Sequence, residues 1–222
     1  MMRERNVNWI MAIVLAVVGA ASVFLMLHHP TLGSPGHASL AHEVRAEEAV
    51  NTWVHGTLIA LILVYQAAAM LLARRIGGGH WFAALGKTAI ALATILMVLA
   101  ALMSGFVSTS LAHDFAALPD GGGSSFHLLI ALTSTFNQVF ANTSTVAYGA
   151  AILFLSLPLI GGSMFERGVG IFGAVLGAVF VLGIISGHLV LNVPGMTSVI
   201  AGMGVWFALA GVVLARPASQ EG

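Results

Sequence analysis

The residues of this sequence best equipped for chemistry are its nine histidines. Imidazole is the commonest protein ligand for transition metals, and it changes charge near neutral pH. All but His80 fall at one end of the chain's six apolar segments, contributed by five different segments and the loops beside them. A one-sided layer of imidazole can build a metal centre. The donors expected to matter most are His55, His127 and His188, with His113 or the His28-His29 pair completing the set.

Acidic and thioether groups share this layer. Glu48, Asn51 and His55 are spaced i, i+3, i+7 and so lie on one helical face. That places the Glu48 carboxylate as a partner that orients an imidazole. Asp114 follows His113 directly. Met26, Met103 and Met196 fall in the same half, and thioethers suit Cu(I). The mixture points to copper or zinc.

Three other readings use the same residues. A b-type haem held by two histidines would pair His55 with His188 or His127, with only Arg45 on that side to meet its propionates. A metal-dependent hydrolase would use Glu48 or Asp114 as general base. A non-catalytic scaffold or accessory subunit would carry these histidines only as amphipathic side chains at a wet interface. The interface reading carries more weight for His28, His29, His37 and His42. His55 and His188 lie within apolar segments, where ionisable groups usually face the bundle interior. There is no HExxH sequence, no HxxxH pair within a span and no EF-hand loop.

The elements that must position these groups are membrane helices. Of 222 residues, 59% are hydrophobic and only 7% charged, against about 25% charged in soluble domains. Apolar runs near twenty residues match the ~30 Å hydrocarbon core of a bilayer. The expected fold is all-α: a single polytopic domain over residues 1–222, a six-helix bundle with spans at about 8–27, 49–73, 81–110, 125–160, 168–191 and 196–215. The first run is longer than the apolar core of a signal peptide and reads as an uncleaved span. Ser39 is placed to cap one continuous helix from Leu40 to Arg75. Ser124 to Ile160 is too long for one crossing, yet no Pro or Gly interrupts 125–148, which favours a single projecting helix.

Charge sets the expected orientation. Arg3, Arg5, Arg74, Arg75, Lys87, Arg167 and Arg216 lie on the side of the termini, and only Arg45 lies opposite. The positive-inside rule makes the termini cytoplasmic, in a membrane of the bacterial inner type. The histidine layer then faces the periplasm.

Composition also excludes. The net charge is zero, without the basic excess that nucleic-acid binding needs. No cysteine is present, so disulfides, iron–sulfur clusters and thiolate sites are absent. No Asp, Glu, Lys or Arg lies deep in a span, which disfavours a proton-coupled transporter. No Walker or GxSxG sequence occurs. The expected partner is the bilayer itself, with a further copy or another membrane protein left open.

Two patterns remain. His127, Ser134, Gln138, Asn142 and Thr145, with Asn137 and Tyr148, form a polar stripe expected to face the interior or a wet crevice. Its alternative is interhelical hydrogen bonding, which Ser104, Ser108, Tyr65, Gln66 and Ser186 could extend. Gly173-x-x-x-Gly177 and Gly183-x-x-x-Gly187 are expected at close helix contacts, the second fixing His188 beside it.

Overall fold

The computed structural model describes residues 2–28, 40–77, 80–118 and 123–216. Among them every regular element is helical. In chain order these are α1 (Met2–Leu27), α2 (Leu40–Ala46), α3 (Glu48–Gly77), α4 (Trp81–Leu102), a π-helical turn (Met103–Val107), α5 (Ser108–Ala116), α6 (Gly123–Ser156), a 3-10 turn (Leu157–Gly161), α7 (Met164–Ile185) and α8 (Val193–Ala215). Six helical segments are long and apolar enough to cross a bilayer, with α4, the π turn and α5 forming one of them. The chain is a multi-pass, all-α membrane protein.

Glycine lets the helices approach closely. Gly19 on α1 faces Gly204 on α8, and a methyl on either would stand 3.0–3.1 Å from the other's Cα. Gly149 on α6 meets Gly177 on α7, where an added methyl would stand 2.8 Å from the Gly177 carbonyl oxygen. In lipid, association rests on such close packing, since the tails are as apolar as the side chains. Gly173 makes room for Ser156 and Trp206, whose indole N–H donates to Ser156 Oγ at 3.0 Å. The first glycine pair of α7 therefore packs as expected. The second does not. Gly187 has φ +74° and nothing near its missing Cβ. It ends the helix, with its N–H on Ile184 O and Leu189 N–H on Gly183 O. His188 lies beyond α7 rather than within it.

One end is tied by charge. Arg75, at the end of α3, donates to Arg216 O (2.6 Å) and to Glu166 Oε1 (3.0 Å). Glu166 Oε2 accepts from both N and Oγ of Ser163, closing a capping box on α7. The Arg216 guanidinium lies 4.0 Å from the Phe165 ring centre. The ends of α3 and α8 and the start of α7 are thus flush.

The opposite end is uneven. α6 has 34 residues, about 50 Å at ~1.5 Å per residue, and α3 has 30. α7 and α8 have 22 and 23, nearer the ~30 Å hydrocarbon thickness. At this end α2 packs on α5 and the start of α6 to build a second, small core from Ala41, Val44, Ala112, Ala116 and Phe126. This explains two departures from the sequence expectation. The helix expected from Leu40 to Arg75 breaks at Glu47, which lets Ala41 and Val44 pack on α5 and Phe126. The third span continues past Ser110 to Ala116, so His113 and Asp114 lie on a helix. The uninterrupted α6 is as expected. Its outer half exposes Leu128, Leu132, Phe136 and Val139 along one side.

Gly177→Val should lower the unfolding free energy in detergent by about 1–3 kcal/mol through overpacking against Gly149. Gly168→Val meets open space and should stay within about 0.5 kcal/mol of wild type. Paired thermal melts check this.

Candidate functional site

A cavity of about 260 Å³ lies inside the bundle on the side away from the arginine cluster. Ser22 and Met26 of α1, His55, Leu58, Ile62 and Tyr65 of α3, Met97 to Ser104 of α4 and the π turn, Asn137 to Tyr148 of α6, and Met196 to Met203 of α8 all contribute to its wall. The 191–193 segment covers it from the α7–α8 connection. Gln138 and Asn192 both line it and are exposed, which marks where it meets its surroundings. Most of the wall is aliphatic. Four of the chain's ten methionines belong to it: Met26, Met97, Met196 and Met203. Unbranched thioethers adapt to ligand shape more readily than Leu or Ile. No Asp, Glu, Lys or Arg takes part.

The polar upper wall is built by the π turn. Ser108 N–H reaches back five residues to Met103 O, which widens the helix. Carbonyls displaced from the regular ladder need other donors. Asn51 Nδ2 donates to Ser104 O at 2.9 Å, and Thr52 Oγ1 to Gly105 O at 3.2 Å. Thr109 Oγ1 also donates to Gly105 O, at 3.1 Å. Gly105 carries no side chain because His55 occupies that space: a methyl there would overlap the His55 Cβ and Cγ. His55 Nδ1–H donates to Asn51 O at 2.8 Å, which assigns the proton to Nδ1 in this bond. The imidazole is 5% exposed. It is fixed by its own helix on one side and by the π turn on the other.

The remaining expected ligands are scattered. His28 is exposed, bonded through Nδ1 to Phe24 O at 2.8 Å and tilted over the Phe24 ring. His113 and His127 are exposed on α5 and α6, and His188 is exposed with Nδ1 2.9 Å from Ser186 Oγ. Glu48 is half-buried at the start of α3. His29 and His37 lie outside the described residues. Among the described residues, no group of three or more His, Asp or Glu side chains comes close enough to share an ion. Of the six expected donors among the described residues, only His55 lines the cavity. The others follow the ends of helices of unequal length, which spreads a layer that looks narrow in sequence.

The polar stripe of α6 divides in three. His127 and Ser134 are exposed on the projecting half, contrary to the expected inward orientation. Asn137 and Gln138 line the cavity. Asn142 is half-buried and accepts from Gln138 Nε2 at 3.1 Å, and Thr145 and Tyr148 are buried; beside the stripe, Ser144 Oγ donates to Ala93 O of α4 at 2.7 Å. Below the methionines, Tyr65 and Tyr148 form part of the wall, 3% and 0% exposed. Tyr65 stacks on Phe207 at 4.5 Å. Their hydroxyl neighbours are Ser22 and Thr94. Tyr65 Oη, Tyr148 Oη and Thr94 Oγ1 are all buried, so these neighbouring hydroxyls are the partners within reach. Ser22 gives its proton to Val18 O, at 2.8 Å, and its oxygen can still accept.

Sequence reasoning missed the π turn, Gly105, and the part played by Met97 and Met203. A lone glycine inside an apolar span, one turn below Thr109, was the available signal.

Gly105→Ala should force the His55 ring out of position. The expected result is a loss of about 1–3 kcal/mol in stability and altered ring-proton NMR chemical shifts for His55, with those of His113 and His127 unmoved. No family model matches this chain, and no curated protein or solved structure matches it.

Proposed function

We propose that the protein is a membrane-embedded binding protein whose cavity takes a small, neutral, largely apolar molecule. The observation that carries this reading is the wall itself. It encloses about 260 Å³ with methionine, leucine, isoleucine and alanine and includes no formally charged side chain. An ion would lose its hydration there without a counter-charge, which costs far more than apolar contact returns. The volume lies just below the ~300–1,000 Å³ typical of pockets for drug-sized ligands, so the ligand is small.

The arginine end is read as cytoplasmic, because Arg75, Arg167 and Arg216 gather there and Arg45 lies opposite. The cavity then faces the outer side, in a membrane of bacterial inner type. A transition-metal centre or a bis-histidine haem would need at least two of His55, His127 and His188 at one place, and the cavity receives one. Binding rather than catalysis is therefore the preferred reading.

The test uses protein labelled with [13C-methyl]methionine in lipid nanodiscs. Addition of 2-methylnaphthalene should shift the methyl signals of Met26, Met97, Met196 and Met203 saturably, and leave the exposed Met164 unmoved. Ile200→Trp, which places an indole in the cavity, should weaken that binding by about tenfold or more, a loss near 1.4 kcal/mol. Equal shifts at all ten methionines, or none, would defeat the reading. Elemental analysis of untagged protein is the companion measurement. Near-stoichiometric copper or zinc would return the function to the histidines.

A further inference from the structure

The cavity is graded in polarity along the bundle. Its wall follows α3 from His55 to Tyr65 and α8 from Val193 to Met203. Each stretch rises about 15 Å at ~1.5 Å per residue, nearly twice the diameter of a sphere of 260 Å³. The space is therefore elongated, with Met97, Tyr65, Tyr148 and Met203 at its deep end. The side-chain oxygens at that end have protein neighbours of their own. Ser22 donates to Val18 O, Tyr65 lies beside Ser22, and Tyr148 lies beside Thr94. The mouth is different. Asn137 is half-buried, and its amide bonds no other described residue. Gln138 gives Nε2 to Asn142 Oδ1 and keeps Oε1, while Asn192 spends Oδ1 on the Gly195 N–H and keeps Nδ2. Hydrogen-bonding capacity among the wall amides thus gathers at the mouth, and the wall below is mostly aliphatic and thioether.

The mouth also lies at a membrane boundary. His55 stands about 30 Å from Arg75 along α3, and Asn192 about 36 Å from Arg216 along α8, against a hydrocarbon thickness of ~30 Å. Met97 and Met203 lie about 10–16 Å deeper than the mouth residues of their own helices. The polar-to-apolar order of the cavity therefore follows that of the leaflet beside it. We infer that the ligand is an elongated amphiphile with an uncharged head, bound in one orientation: the head among Asn137, Gln138 and Asn192, the chain directed to Met97 and Met203. This rests on the binding role proposed for the cavity. Such a molecule passes from leaflet to cavity without turning over, and it exchanges lipid tails for the adaptable methionine wall. A water-soluble guest would lose its hydration along the aliphatic depth, and a wholly apolar one would leave the amides unused. An alcohol, amide or ester head suits groups that both donate and accept. A charged head finds no opposite charge on the wall.

The experiment compares decan-1-ol with n-decane, which share a chain length and differ by one hydroxyl. The protein is deuterated except at its [13C-methyl]methionines and held in nanodiscs of deuterated lipid. Decan-1-ol should show nuclear Overhauser contacts from its terminal methyl to Met97 and Met203, and from its carbinol methylene to Met26 and Met196 near the mouth. n-Decane, whose ends are alike, should reach all four. Affinities are read from the same methyls as mole fractions in the lipid. Asn137→Leu and Gln138→Leu should each weaken decan-1-ol about fivefold while leaving n-decane within about twofold of wild type. Undiminished binding of n-decane also shows that each variant is folded. Three results would overturn the inference and leave the cavity reading standing: contacts of decan-1-ol that are reversed or uniform, Leu variants that treat both probes alike, or binding of 2-methylnaphthalene without binding of decan-1-ol. If neither the chains nor 2-methylnaphthalene move the cavity methyls, the cavity reading fails and takes this inference with it.

Discussion

Lipid supplies no hydrogen-bond partners, and much of this structure follows from that constraint. Every polar group on a spanning helix must be satisfied by the protein. Most hydroxyls here solve the problem locally. Thr88, Thr133, Thr143 and Thr197 each donate to the carbonyl one turn earlier on their own helix. Where a group bonds across helices instead, it marks a joint. Ser144 ties α6 to α4, Trp206 ties α8 to the end of α6, and Asn51 and Thr52 tie α3 to the π turn.

The π turn shows how one local defect serves several ends. By widening α4 it frees carbonyls, and Asn51 and Thr52 are there to receive them. It sets Gly105 against the flank of His55. It also carries Ser104 onto the cavity wall. A regular helix at 103–107 would leave the α3 amide and hydroxyl without those acceptors and would shift every later residue around the axis, including the face of α5 that supports α2.

Much of the architecture was legible in the sequence, because apolar length is a strong signal in a membrane protein. Six spans, the unbroken α6 and the packing role of Gly173 and Gly177 follow from run length and small-residue spacing. The site was not legible in the same way. The sequence assigns eight histidines to one end, but it gives depth only to within a few residues. It does not give the azimuth of each side chain. His127 rides on a helix that overshoots its neighbours, and His188 falls past a glycine that ends α7. Both are displaced from His55 for reasons of helix length. The cavity belongs to methionines and tyrosines distributed over five helices, and no local spacing connects them.

The uneven helix ends have a consequence for the bilayer itself. With α3, α7 and α8 aligned at the arginine cluster, a change in membrane thickness can be taken up only at the other end. There α6 presents Leu128, Leu132, Phe136 and Val139 toward its surroundings as a ladder of apolar steps. Acyl chains can wet one rung more or fewer along it without tilting the bundle, at a cost of only fractions of a kcal/mol per Å. The helix acts as a graduated waterline along which the lipid level can rise and fall.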